Sequence, residues 1–234
     1  MGKLAAVRRK HSRVDTAGRL LDAAEKLFGE LGYDGVGMRA LAQHAGVNLA
    51  AATYHFGSKK DLYLETFLRR FREVNAAQSQ LLNEARTQSH GGPLEVETVI
   101  ACIMRPPFQM GLAHPAFSQL LARSMVEPPP FLQPVLHREL ERNTGAFIAA
   151  LKDALPHLPA PLLQMRLALS MGPLLMLTVE LGKEPSARGA TRNEAVLKEV
   201  VRFASSGMAS SPATEVKDNL PLPPMRKAGR RVRR

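Results

Sequence analysis

The chain has 234 residues, 45% of them hydrophobic, and a formal net charge of +11. That length buries a substantial core as one large domain or two small ones, and the composition is that of a globular chain rather than a fibrous or disordered one. Cys102 is the single cysteine, which excludes an intrachain disulfide and a cysteine-based metal cluster and favours a reducing compartment. The charge sits at the ends: residues 1–20 carry five net positive charges, residues 217–234 carry six, and the body between sums to zero. Basic ends of this kind suit a polyanion such as DNA or an anionic membrane, or act only as solubilising tails. The start MGKLAAVRRKHSR has no apolar core of a secretory signal, and the uncharged apolar run 167–179 is shorter than the roughly 18 residues of a membrane span. A cytoplasmic, soluble protein is expected.

In chain order, a basic arm over 1–14 comes first. Leu20, Ala23, Ala24, Leu27, Phe28 and Leu31 then recur at helical spacing and predict a helix over about 16–31, capped by Asp15 or Thr16 and ended by Gly32, Gly35 and Gly37. Short helices are predicted at 38–45 and 48–55. A long one capped by Ser58 carries Leu62, Phe67, Phe71 and Val74 on its inner face and fades near 88. SHGGP at 89–93 is the clearest linker. Further helices are expected at 94–111, 115–126, 129–155, 160–182 and 191–208, with Pro128, Pro129 and Pro130 in an opening helical turn. No strand pattern appears, and the Pro-, Lys- and Arg-rich tail 210–234 is expected to be disordered. The fold class is all-α: a small head over 15–60 and a larger helical body over 61–209.

Within 39–61, RALAQHAGVNLAAATYHFGSKKD, the sizes fit a helix-turn-helix. Ala42 is small where two helices must cross. Gly46 suits the turn, Val47 returns to the core, and Asn48 is a good cap for the second helix, leaving outward N–H groups that a phosphate can accept. The run LLDAAEKLFGELGYDGVGMRALAQHAGV, followed by NLAAATYHF and GSKKDLYLETF, resembles the DNA-binding domain of the tetracycline-repressor (TetR) family of bacterial transcription regulators.

The resemblance implies a homodimer whose N-terminal domain binds operator DNA and whose helical C-terminal domain dimerises and takes an inducing ligand. It implies a phosphate contact from Arg39, base contacts from Asn48, Leu49 and Ala50 at the start of the recognition helix, and a phosphate contact from Lys59. Tyr54 and His55 match the end of that helix, where a tyrosine commonly touches the DNA backbone; packing or capping is the other reading for both. Thr53 stands where most members have Tyr or Asn. Leu49, Ala50, Ala51 and Ala52 offer no polar readout, so specificity would rest on Asn48, Thr53 and Tyr54, on thymine methyls, and on the N-terminal arm (Arg8, Arg9, Lys10, Arg13) in a minor groove.

The 160–182 helix is apolar nearly all round and must be buried on more than one side; with 191–208 it has the position that the family uses for its dimer interface. Gly172-Pro173 is expected to kink it. Ten methionines and no tryptophan make a soft interior. Met104, Phe108, Phe117, Leu121, Met125, Phe147 and Met165, with Met110 and Phe131, are candidates for lining a ligand cavity, with ordinary core packing as the alternative. Residues 114–159 also resemble a C-terminal domain of family members that respond to fatty acyl compounds, which implies a hydrophobic small-molecule inducer. No cofactor is expected. The seven histidines show no metal-ligand spacing, and Cys102 on an apolar face reads as an inert thiol, so an enzyme is not expected. A non-specific architectural nucleic-acid-binding protein is the rival reading, resting on the basic ends.

Overall fold

The computed structural model describes residues 2–183 and 189–211, with side chains described from 16 to 183 and from 191 to 211. Nine helices and no strand occur among them: α1 Gly2–Leu31, α2 Met38–His44, α3 Leu49–Phe56, α4 Lys59–Gln88, α5 Val96–Ala113, α6 Pro115–Val126, α7 Gln133–Ala154, α8 Ala160–Lys183 and α9 Gly189–Ala209.

The all-α expectation holds, and most boundaries fall within two residues of those predicted. Two do not. α1 begins at Gly2 rather than near 16, running through the segment read as an arm, which has no proline and carries two Ala and five Lys/Arg, all good helix formers. α7 begins at Gln133 rather than 129, with Pro134 in its first turn. Each proline in 128–130 disfavours helical geometry in the residue before it, and the next helix starts only after a turn in which Leu132 donates its N–H to the Pro129 carbonyl at 2.9 Å. The tail expected to be disordered lies, from 212 onward, outside the described residues.

α5 contains Pro106 and Pro107 in mid-helix. Their missing amides would have bonded the carbonyls of Cys102 and Ile103. The buried amide of Gln78 on α4 donates to the Ile103 carbonyl at 2.8 Å and so replaces one of these bonds. Gly111 lets α5 approach its neighbours: a Cβ there would sit 2.8 Å from Ser118 Oγ and 2.9 Å from Thr178 Cβ.

Two apolar clusters result. The body cluster, from α4, α5, α7, α8 and α9, is mostly aliphatic. The head cluster joins Leu20, Phe28, Leu41, Ala52, Tyr63 and Phe67 to Phe117 and Leu120 of α6 and Leu132 and Leu136 at the start of α7. The head is therefore completed by body residues, and α4 runs unbroken through both. Buried charge adds to the joint. Glu25 on α1 accepts Arg70 Nε at 2.7 Å and Nη2 at 3.1 Å and also pairs with Arg69, which reaches Asp22 at 2.9 Å. Arg123 of α6 donates to the Gly29 and Glu30 carbonyls at 3.2 and 3.1 Å, closing the end of α1, and the Tyr63 and Ser124 hydroxyls meet at 2.8 Å.

Candidate nucleic-acid interface and the body behind it

The α2–α3 corner has the geometry of a helix-turn-helix. Leu41, Ala42 and Ala45 are buried, Gly46 takes a φ of 63°, and Val47 donates its N–H to the Ala42 carbonyl at 2.9 Å. Asn48 is extended, and its Oδ1 accepts the Ala51 N–H at 2.7 Å, a side-chain N-cap. Ala52 is fully buried, so α3 is fixed by its inner face, while Leu49, Ala50, Thr53 and Tyr54 all lie exposed, one turn apart in pairs. Tyr54 is 70% exposed. His55 is half-buried, its ring 5.7 Å from that of Tyr54. Arg39, in the first turn of α2, is exposed.

Lys59 is placed differently from a solvated helix start. It is half-buried; its Nζ donates to the Tyr33 carbonyl at 3.1 Å and lies 4.2 Å from the Tyr33 ring centroid. Ser58 accepts the Asp61 N–H at 3.1 Å and donates to Asp61 Oδ2 at 2.6 Å, which pins the start of α4. Tyr33 was not singled out by sequence. The signal that could have found it is an aromatic residue between Gly32 and Gly35, outside the helical spacing. Burial raises the Tyr33 phenol, with Asp34 and Asp61 adding to it.

The nine body candidates do not converge on one cavity. Met104, Phe108 and Phe147 are buried in the body cluster, and Met165 packs against it. Phe117 belongs to the head cluster instead, with Leu121, Met110 and Phe131 against it. Phe117 meets Phe67 at 5.8 Å. Met125 is 61% exposed on the last turn of α6. Spacing identified the buried faces but not which of two cores each face enters. Two surface recesses lie elsewhere, one at the α4–α5 turn against Ala150 and Asp153, the other along the polar face of α4 from Gln80 to Gln88. Cys102 is buried, and burial pushes its thiol up, as expected of an inert group.

α8 is buried on one side only within this chain. Leu162, Leu163, Leu167 and Leu174 enter the core, while Leu169 is 67% and Met176 58% exposed; on α9, Phe203 is 77% exposed. Taken over the whole helix rather than its uncharged run, α8 is long and apolar enough to cross a bilayer. Its Arg166, however, donates to the carbonyls of Met208 and Ser210 at 2.6 and 2.8 Å, tying it to the end of α9.

Two family models match. That of the bacterial regulatory proteins, tetR family, covers residues 20–66, and that of the tetracyclin repressor-like C-terminal domain covers 101–207. A transcriptional dual regulator of the helix-turn-helix type, CecR of Shigella flexneri, is 52% identical over 46 residues, a stretch that spans 20% of this chain and 20% of that protein. Among solved structures, a transcriptional regulator from Rhodococcus sp. Rha1 has a TM-score of 0.60 at 20% identity, covering 84% of this chain and 99% of that one. The fatty acid degradation regulator FadR from Bacillus halodurans has a TM-score of 0.57 at 13% identity, covering 84% and 95%. At those identities the two structures speak for the fold alone. With its head and most of its body matched by the two family models, the chain belongs to the tetR family of bacterial regulatory proteins.

Proposed function

We propose that the chain is a homodimeric transcription regulator of the cytoplasm that binds operator DNA through α3 and is released from it by a hydrophobic small molecule. One observation carries the reading: Leu49, Ala50, Thr53 and Tyr54 form one open face of a helix whose other face is anchored by Ala52, with Arg39 on the preceding helix and Lys59 at the start of the following one. That face fits a major groove, with Asn48 free to use its NH₂ group while its oxygen caps the helix. Arg39 and Lys59 supply phosphate contacts. One such helix reads few base pairs; two, held roughly 34–36 Å apart in a dimer, read an operator. The exposed Leu169, Met176 and Phe203 on α8 and α9 support pairing of two copies there. The soft cluster around Met104, Phe108, Phe147 and Met165 supports an apolar inducer, an acyl compound among them, since thioethers adapt to irregular shapes. Nothing in this reading needs a catalytic step.

The test compares binding to DNA upstream of the protein's own gene with binding to random duplex, across a salt series. Preference for the upstream DNA is expected; equal affinity for both would sink sequence-specific regulation and favour the architectural alternative. Asn48→Ala is expected to change the preference among sequences, whereas Lys59→Ala weakens binding to all of them alike and makes the salt slope shallower by about one. Gel shifts with and without a panel of acyl compounds test the inducer class.

A further inference from the structure

The basic corner at the start of α4 does not stand alone. Lys59 Nζ lies over the Tyr33 ring at 4.2 Å, the Tyr33 ring meets the Phe131 ring edge-on at 5.0 Å, and Lys60 Nζ lies 5.3 Å from the Phe131 centroid. Phe131 also meets Tyr63 at 5.9 Å. It belongs to the body, at the end of the Pro128–Pro130 run between α6 and α7. Its position is well fixed. The prolines restrict the approach from one side, and fully buried Leu132, whose carbonyl accepts the Leu136 N–H at 3.0 Å, anchors the other.

We propose that Phe131 is a positioning residue for DNA binding: through Tyr33 it holds Lys59, and directly it holds Lys60, so that a body loop sets the two ammonium groups where phosphate must meet them. The proposal rests on the reading of Lys59 as a phosphate contact. The chemistry suits positioning rather than sequestration. Lys59 uses one of its three N–H donors on the Tyr33 carbonyl, and no other partner meets it among the described residues, so two remain for a phosphate. A ring face under an ammonium is a weak hold, so it orders the side chain without competing with the DNA. What it removes is the rotamer freedom that a lysine otherwise loses on binding.

The experiment uses the full chain and a fluorescent 30-base-pair duplex of random sequence, titrated over about 50–300 mM KCl, the range in which phosphate contacts dominate. Phe131→Ala is expected to lower affinity about fivefold, the size of one to two cation–π interactions. In a Lys59→Ala/Lys60→Ala background the same change should matter less than about twofold, because the groups it positions are gone. Phe131→Tyr, which keeps the ring, should bind as the parent does. If Phe131→Ala fails to fold, Phe131→Leu removes the ring face while keeping apolar bulk and takes its place. Parent-like binding by a folded ring-less variant, or an equal loss in both backgrounds, overturns the proposal while the lysine variant still shows its own loss. A lysine variant that binds like the parent overturns the phosphate reading itself, and the proposal with it.

Discussion

The head cluster and the body cluster are built from different materials. The first is a chain of rings, with Phe28, Tyr33, Tyr63, Phe67, Phe117 and Phe131 in edge-on or tilted contact, and beside it lies the ion network of Glu25, Arg69 and Arg70. The second holds Phe108 and Phe147 among leucines, isoleucines, valines and the methionines Met104 and Met208. Rings and buried charge accept few arrangements, because aromatic pairs and ion pairs both depend on angle. Aliphatic and thioether side chains repack. The part that must match a rigid groove is thus the angle-dependent one, and the part proposed to admit a ligand is the adaptable one.

Three substitutions sharpen or break this contrast. Glu25→Ala leaves the buried Arg70 guanidinium with Glu73, at 3.2 Å, as its remaining carboxylate partner and should cost about 3 kcal/mol in denaturant unfolding; a cost under about 1 kcal/mol would mean the ion network does not hold α1 to α4. Next, Phe67→Leu in the head should cost about 2 kcal/mol, while Met104→Leu in the body, equally buried, should cost less than about 1. Equal costs would erase the distinction between the clusters.

The smallest effect concerns His114, at the joint of α5 and α6. Burial lowers its pKa, Arg70 and Arg69 add to this, and Glu25 and Glu73 oppose it. A lowered histidine pKa means that the unfolded chain binds the proton first. The contribution to stability is therefore complete above the ordinary value near 6.5 and disappears as pH falls through it toward the folded value. Melting temperatures at pH 7.5 and 5.5 should differ less in His114→Gln than in the parent; an unchanged difference would show that burial does not set the protonation of this site.

Much of this was legible in the residue pattern, and the reasons differ by region. Asn48 and Ser58 announced their helix starts because capping is a local interaction across three residues. Ala42 was legible through size and Gly46 through the turn conformation that glycine adopts cheaply. The inward hold on Lys59 was not, because its partner Tyr33 lies 26 residues upstream and meets it only through tertiary packing. The helical state of the first residues was hidden by charge, which reads as an arm whatever the backbone does. Where the body candidates Phe117 and Met125 lie, one in the head cluster and one at the surface, was not legible, because apolar spacing marks a face without saying what that face meets.

The replacement hydrogen bond in α5 has a mechanical side. α4 reaches from Lys59, at the basic corner, to Gln78, the residue that mends the gap left by Pro107, a separation of about 29 Å along the helix axis at 1.5 Å per residue. A stiff rod of that reach turns a tilt of about 5° at the Gln78 end into a displacement of about 2.5 Å at Lys59, enough to separate a formed hydrogen bond from a broken one.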